Sequence, residues 1–155
     1  MKGLLAGLVL TALILSCAAP KPPPEPWQRK MEKLQEIDRL YSEIRLFRSD
    51  MKMELEPPVT LQNAFRDKST RDAARVCPEN HKVPATCDDT CRLSSHICEN
   101  AETICKIADE LGPQDRAQEK CTSAKASCRQ AKQRCCNCSV KPPTQVEPPA
   151  VEPVP

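Results

Sequence analysis

The chain has 155 residues, with 11 cysteines, 16 prolines and only four aromatic side chains, Trp27, Tyr41, Phe47 and Phe65. So few large side chains, none in the second half, exclude a large aromatic core there, and so many cysteines mark a disulfide scaffold in an oxidising compartment unless the thiols bind metal. Lys and Arg number 23 against 21 Asp and Glu, a near-neutral balance that excludes the strong positive field of a nucleic-acid binder.

The amino terminus speaks to the compartment. Lys2 supplies a positive charge, and residues 4–15 (LLAGLVLTALIL) form an apolar run of signal-peptide length, well short of the roughly 20 residues of a membrane-spanning helix. Ile14-Leu15-Ser16-Cys17 follows: apolar residues, a small residue, then cysteine. This stretch resembles the lipobox of bacterial lipoproteins. The resemblance implies cleavage before Cys17, diacylglycerol on its sulfur and acylation of the new amino group, and two or three acyl chains make a stable anchor where one is marginal. It also implies, from Ala18 after the cysteine, sorting to an outer membrane. Ordinary cleavage after Ala19 and an uncleaved anchor are the alternatives. Cysteine parity argues against the uncleaved form, because a Cys17 that is lipidated or removed leaves ten cysteines for five bridges.

Residues 17–26 then form a linker, in which PKPPPEP reads as a polyproline stalk, extended at roughly 3 Å per residue. Residues 27–56 are expected to form a long amphipathic helix, with Trp27, Met31, Leu34, Ile37, Tyr41, Ile44, Phe47, Met51 and Leu55 recurring at three and four. Pro57-Pro58 is expected to end it. Residues 60–75 are a weaker helical candidate with a thin stripe of Leu61, Phe65 and Ala73, completing an amphipathic region over 27–76. Residues 77–84 read as a loop, and 140–155 as a disordered tail of Pro, Val and Glu.

Between these lies a cysteine-rich segment, 77–139. Residues 85–111 and 113–137 each read as helix, separated by Gly112-Pro113, where Gly suits a helix C-cap and Pro the first turn of the next helix. Cys91, Cys98 and Cys105 are seven apart, as are Cys121, Cys128 and Cys135, so each trio lies on one helical face. In an antiparallel hairpin, facing residues have a constant sum of positions. Cys91 with Cys135, Cys98 with Cys128 and Cys105 with Cys121 all sum to 226, and half of that, 113, falls on the turn read independently from Gly and Pro. Ser94, Ala101 and Ala108 on one seam, and Ala117, Ala124 and Ala131 on the other, are small enough to let the helices reach disulfide distance. The next rung places Cys87 opposite Ser139, beside Cys138. Cys87 with Cys138 and Cys77 with Cys136 are therefore the preferred remaining pairs. The fold expected is all-α: a disulfide-stapled antiparallel hairpin plus a long N-terminal helix, with Pro-rich ends.

A second stripe on the hairpin, Leu93, Ile97, Ile104, Ile107 and Leu111, can receive the 27–56 helix; the alternative is that this helix binds an envelope partner or a second copy. Reduced thiols lining the seam would instead suit Cu(I), which loosely resembles copper-storage helical bundles with thiol-lined interiors, and the Cys87-Asp88-Asp89-Thr90-Cys91 spacing puts two thiols on one helical face. An oxidising envelope works against that, and zinc is the less expected metal. Cys136-Asn137-Cys138 is read as structural rather than redox-active. His96 shares a solvated face with Arg92, Glu99 and Thr103, and His81 lies in a loop. No nucleophile elbow, phosphate loop or metalloprotease pattern is present, so the reading is a lipid-anchored structural or interaction protein, with no enzymatic activity and no cofactor expected.

Overall fold

A computed structural model describes residues 25–78 and 82–138. The signal segment, Cys17, most of the linker, His81 and the 140–155 tail lie outside the described residues. Regular structure within them is helical: α1 (Pro26–Asp50), α2 (Val59–Phe65), α3 (Thr70–Ala74), α4 (Asp88–Leu111, entered through the single 3-10 turn Ala85–Cys87) and α5 (Asp115–Cys136).

The first helix begins at the last proline of the linker, which suits an N1 position because its missing N–H would be unpaired there anyway. Gln28 accepts from the Glu25 backbone N–H at 3.0 Å to complete a capping box. Its other end departs from expectation. The helix stops at Asp50, not at Glu56, six residues before the expected terminus. Lys52 adopts φ +56°, its N–H bonds Ser49 O at 2.9 Å, and Met53 N–H bonds Arg48 O at 2.9 Å. These two bonds form a Schellman motif, with lysine holding the left-handed position that glycine usually takes, at a strain of roughly 1–2 kcal/mol. The freed segment turns back along α1, and Arg48 Nε donates to Glu54 O at 2.8 Å to hold it there.

The 60–75 candidate is two short helices rather than one. Ser69 ends the run by capping α3: its Oγ accepts from Asp72 N–H at 3.1 Å while Asp72 Oδ2 accepts from Ser69 N–H at 3.2 Å. That reciprocal pair satisfies two N-terminal donors and fixes a new helix start. The hairpin helices are also shorter than expected. Residues 85–87 are a 3-10 turn rather than α-helix, and α5 starts at Asp115 rather than Pro113. Gly112 ends α4 with φ +74°, a conformation for which glycine carries no side-chain penalty.

Three contacts define how α1 lies on α4. Lys33 Nζ meets Glu110 Oε2 at 3.0 Å, Asn100 Nδ2 donates to Glu43 Oε2 at 3.1 Å, and the Phe47 and His96 rings sit 5.9 Å apart. The residue numbers in each pair add to 143, so the helices run antiparallel in one register. Against α5 the numbers keep a constant difference instead: Tyr41 with Ser123 and Arg48 with Gln130 are both 82 apart, which makes α1 and α5 parallel. Ile37, Leu40, Tyr41 and Ile44 of α1 share one buried cluster with Ile97, Ile104 and the small residues of both seams. Leu93, Ile107 and Leu111 pack at its edge. Trp27, Met31 and Leu55, placed on the α1 stripe by periodicity, are instead exposed: α4 ends at Leu111, level with position 32 in this register, so it does not cover Trp27 and Met31, and Leu55 is past the helix.

The fifth helix is packed on more than the cysteine seam. Helices α2 and α3 cross it, Lys125 Nζ donates to Arg66 O at 2.7 Å and Lys68 O at 2.8 Å, and Arg129 Nη1 donates to Arg75 O at 2.8 Å. Ser123, Lys125, Ala126 and Ser127 are all buried outside the cysteine seam, Ser123 against Tyr41 of α1. Desolvation pushes the Lys125 ammonium below its ordinary pKa, against the opposing pull of Asp67 and Asp109.

Candidate functional site

The chemistry on which the sequence is most informative is that of its cysteines. Ten of them come together in five pairs: Cys91 with Cys135, Cys98 with Cys128, Cys105 with Cys121, Cys87 with Cys138 and Cys77 with Cys136. The three seam pairs hold their Cα atoms 4.8, 4.6 and 4.7 Å apart, closer than the 6.0 and 5.5 Å of the two end pairs. Helix axes normally sit about 8–10 Å apart, so such Cα distances require side chains between the rungs that occupy almost no space. Ala101, Ala108, Ala117, Ala124 and Ala131 meet that requirement and are fully buried. Ser94 meets it at a cost, because its buried hydroxyl has no hydrogen-bond partner. The end pairs tie Cys77 and Cys87 to the C-terminal end of α5 and the residues just beyond it. Cys77 enters as a loop residue fixed to Cys136, and Cys87 as the cap of α4 fixed to Cys138.

No family model, curated protein or solved structure matches this chain. The functional reading therefore rests on its own residues. Cys17, the candidate lipidation site, lies outside the described residues, so its surroundings are those read from the sequence. His96 is exposed, with Nδ1 3.3 Å from Glu99 Oε2, an arrangement of surface helix neighbours. A cleft of about 1020 Å³, lined by mixed charges including Lys68, Lys106, Asp109 and Glu110, has the Cys105–Cys121 rung in its wall.

The structure also assembles a polar cluster that periodicity did not reveal. The Tyr41 hydroxyl donates to Glu56 Oε2, Ser123 Oγ lies 2.6 Å from the same hydroxyl, and Arg45 Nε meets Glu56 Oε1 at 3.2 Å. Lys120 Nζ sits 4.1 Å from the ring centroid, a cation–π contact. One turn on, Arg48 is 1% exposed, bound to Glu54 O and to Gln130 Oε1 at 2.9 Å, with Nη1 unpartnered. A buried guanidinium without a carboxylate partner is costly, and its two bonds fasten both the returning segment and α5 to α1.

Burial, reinforced by the neighbouring Glu56 carboxylate, raises the Tyr41 phenol from 10.0 to about 12. Folding therefore favours the protonated phenol. Its contribution to stability is complete below pH 10 and is lost as pH rises through about 12. Tyr41 is the sole tyrosine, so absorbance titration reports it alone. The expected result is a midpoint near pH 12 in the folded protein, falling to the ordinary value of 10.0 in denaturant. Coincident midpoints in the two states would contradict the buried Tyr41–Glu56 contact.

Proposed function

We propose that the chain is a bacterial lipoprotein of the cell envelope, held to a membrane through Cys17, whose rigid helical body has a structural or protein-interaction role. The carrying observation is the Ile14-Leu15-Ser16-Cys17 sequence directly after the apolar run of 4–15. Two further features support it. Five cysteine pairs belong in an oxidising compartment, and they account for ten of the 11 cysteines, leaving Cys17 for another chemistry. The linker of residues 18–25 would stand the body off the lipid surface, and sorting to the outer membrane follows from Ala18. A stapled antiparallel hairpin with the first helix docked along it suits a rigid spacer or docking body better than a hinge. Copper binding by thiolates would need the same ten cysteines reduced, so it competes directly with this reading.

Cys17→Ser is the test. The variant is expected to leave the membrane fraction and to lack the acyl mass carried by the parent chain. Retention of the variant in the membrane with an acyl-sized mass increase would overturn the assignment.

A further inference from the structure

We infer that the first two turns of α1 form an interfacial foot, with Trp27 and Met31 seated among lipid headgroups and acyl chains of an anionic membrane surface. The inference rests on the lipid-anchor reading and adds an orientation to it. Trp27 is 64% exposed and Met31 48% exposed, the two continuing the stripe on which Leu34 is half-buried and Ile37 and Tyr41 are buried. The stripe outruns its partner. Lys33 pairs with Glu110 one residue before α4 ends at Leu111, so α1 ahead of Lys33 runs past the end of α4: Pro26, Arg29 and Lys30 still border Glu110 and Leu111, whereas Trp27 and Met31 stay exposed.

That end is also where the chain leads to Cys17. The nine residues from Cys17 to Glu25 can span at most about 30 Å, so an acylated Cys17 tethers the Trp27 turn within that distance of the lipid. The residue types match the location. Tryptophan concentrates at membrane interfaces, where its ring is apolar and its N–H stays wet. Lys30 lies at the edge of the same face of the helix, roughly 60° around the axis from Trp27, where its ammonium can reach acidic headgroups. A second copy or a protein partner fits less well: the two side chains offer on the order of 250 Å², against the roughly 800 Å² per partner of a standard interface. A surface already tethered by acyl chains does not need that area.

Trp27 is the only tryptophan, so its fluorescence reports on this site without ambiguity. The mature protein is extracted from bacterial membranes, its acyl mass is verified, and it is reconstituted into phosphatidylglycerol–phosphatidylcholine vesicles with and without brominated acyl chains. The expected result is emission shifted to shorter wavelength, with most of its intensity lost in brominated vesicles, and weaker quenching for Lys30→Glu. An acylated chain whose Trp27 emits as in water and is quenched by aqueous acrylamide but not by bromine would overturn the foot while leaving the anchor standing. Trp27 shielded equally with and without lipid, in a species whose size depends on concentration, would assign the patch to a second copy and overturn the inference. A chain without acyl mass would remove the anchor and with it the orientation argued here.

Discussion

Reducing all five disulfides is expected to unfold the protein at about 37 °C, the usual outcome when a small domain loses its bridges. The Cys105–Cys121 bridge spans a sequence separation of 16, and closing a loop of that size removes unfolded-state entropy worth about 3 kcal/mol. Once it is closed, each further seam rung adds only seven residues per helix, a loop of similar size, so the three seam rungs together contribute on the order of 9 kcal/mol. A small domain has roughly 5–15 kcal/mol in total. The apolar core is too thin to compensate. The buried isoleucine, leucine and tyrosine side chains belong to α1 and α4, whereas the α4–α5 seam is alanine, serine and cysteine. The check is far-ultraviolet circular dichroism and thermal melting of oxidised chain against chain reduced and blocked with iodoacetamide. The oxidised chain should melt cooperatively at high temperature and the reduced chain should have lost most of its helical signal before heating. A reduced chain that keeps its helicity and melting point would show that packing alone holds the seam.

The second large effect is expected from Ile104→Ala, at about 3 kcal/mol, within the range for truncating a fully buried aliphatic side chain. Ile104 has no exposed surface, and the antiparallel register puts it level with position 39 of α1, beside the buried Leu40. Nothing covalent ties α1 to α4, since residues 26–50 contain no cysteine. Docking of α1 therefore depends on this cluster, on the Tyr41–Glu56–Ser123 contacts and on Arg48. The loss should be uneven across the molecule: hydrogen exchange in α1 should accelerate while α4 and α5, stapled at three levels, keep their protection. Ile107→Ala, at the edge of the same cluster, should cost markedly less. Equal losses of protection in all three helices would contradict the division into a stapled pair and a docked third helix.

The parts of this fold that were legible in the sequence are those written in spacing. Two cysteine trios at intervals of seven, with the midpoint on Gly112-Pro113, identify two helices, their turn and their facing residues together, because a seven-residue step is nearly two helical turns. The end of α1 was illegible for a local reason. A Schellman ending is normally announced by glycine, and here Lys52 occupies the left-handed position, so the two prolines downstream looked like the stop. The α2–α3 break did have a marker, Ser69 followed three residues later by Asp72, but the thin stripe running through it suggested continuity. Arg48 lies on the buried face of α1 by periodicity, and its charge argued for solvent; only the turn at residues 51–53, which brings Glu54 O within reach, makes its burial intelligible. The second and third packed faces of α5 carry serine, alanine and lysine, residue types whose pattern does not distinguish core from surface. Trp27 and Met31 obey the stripe and are exposed because their partner helix ends first, a fact about α4 that the α1 sequence does not contain.

The most direct test of the account is a count of free thiols on the mature protein taken from the envelope without reductant, by iodoacetamide alkylation and intact-mass measurement. The account predicts no alkylation and a mass ten hydrogens short of the reduced chain, two for each of five bridges, with Cys17 unreactive because its sulfur carries lipid. Most thiols reacting, above all with copper retained under native conditions, would contradict both the ladder and the compartment inferred from it.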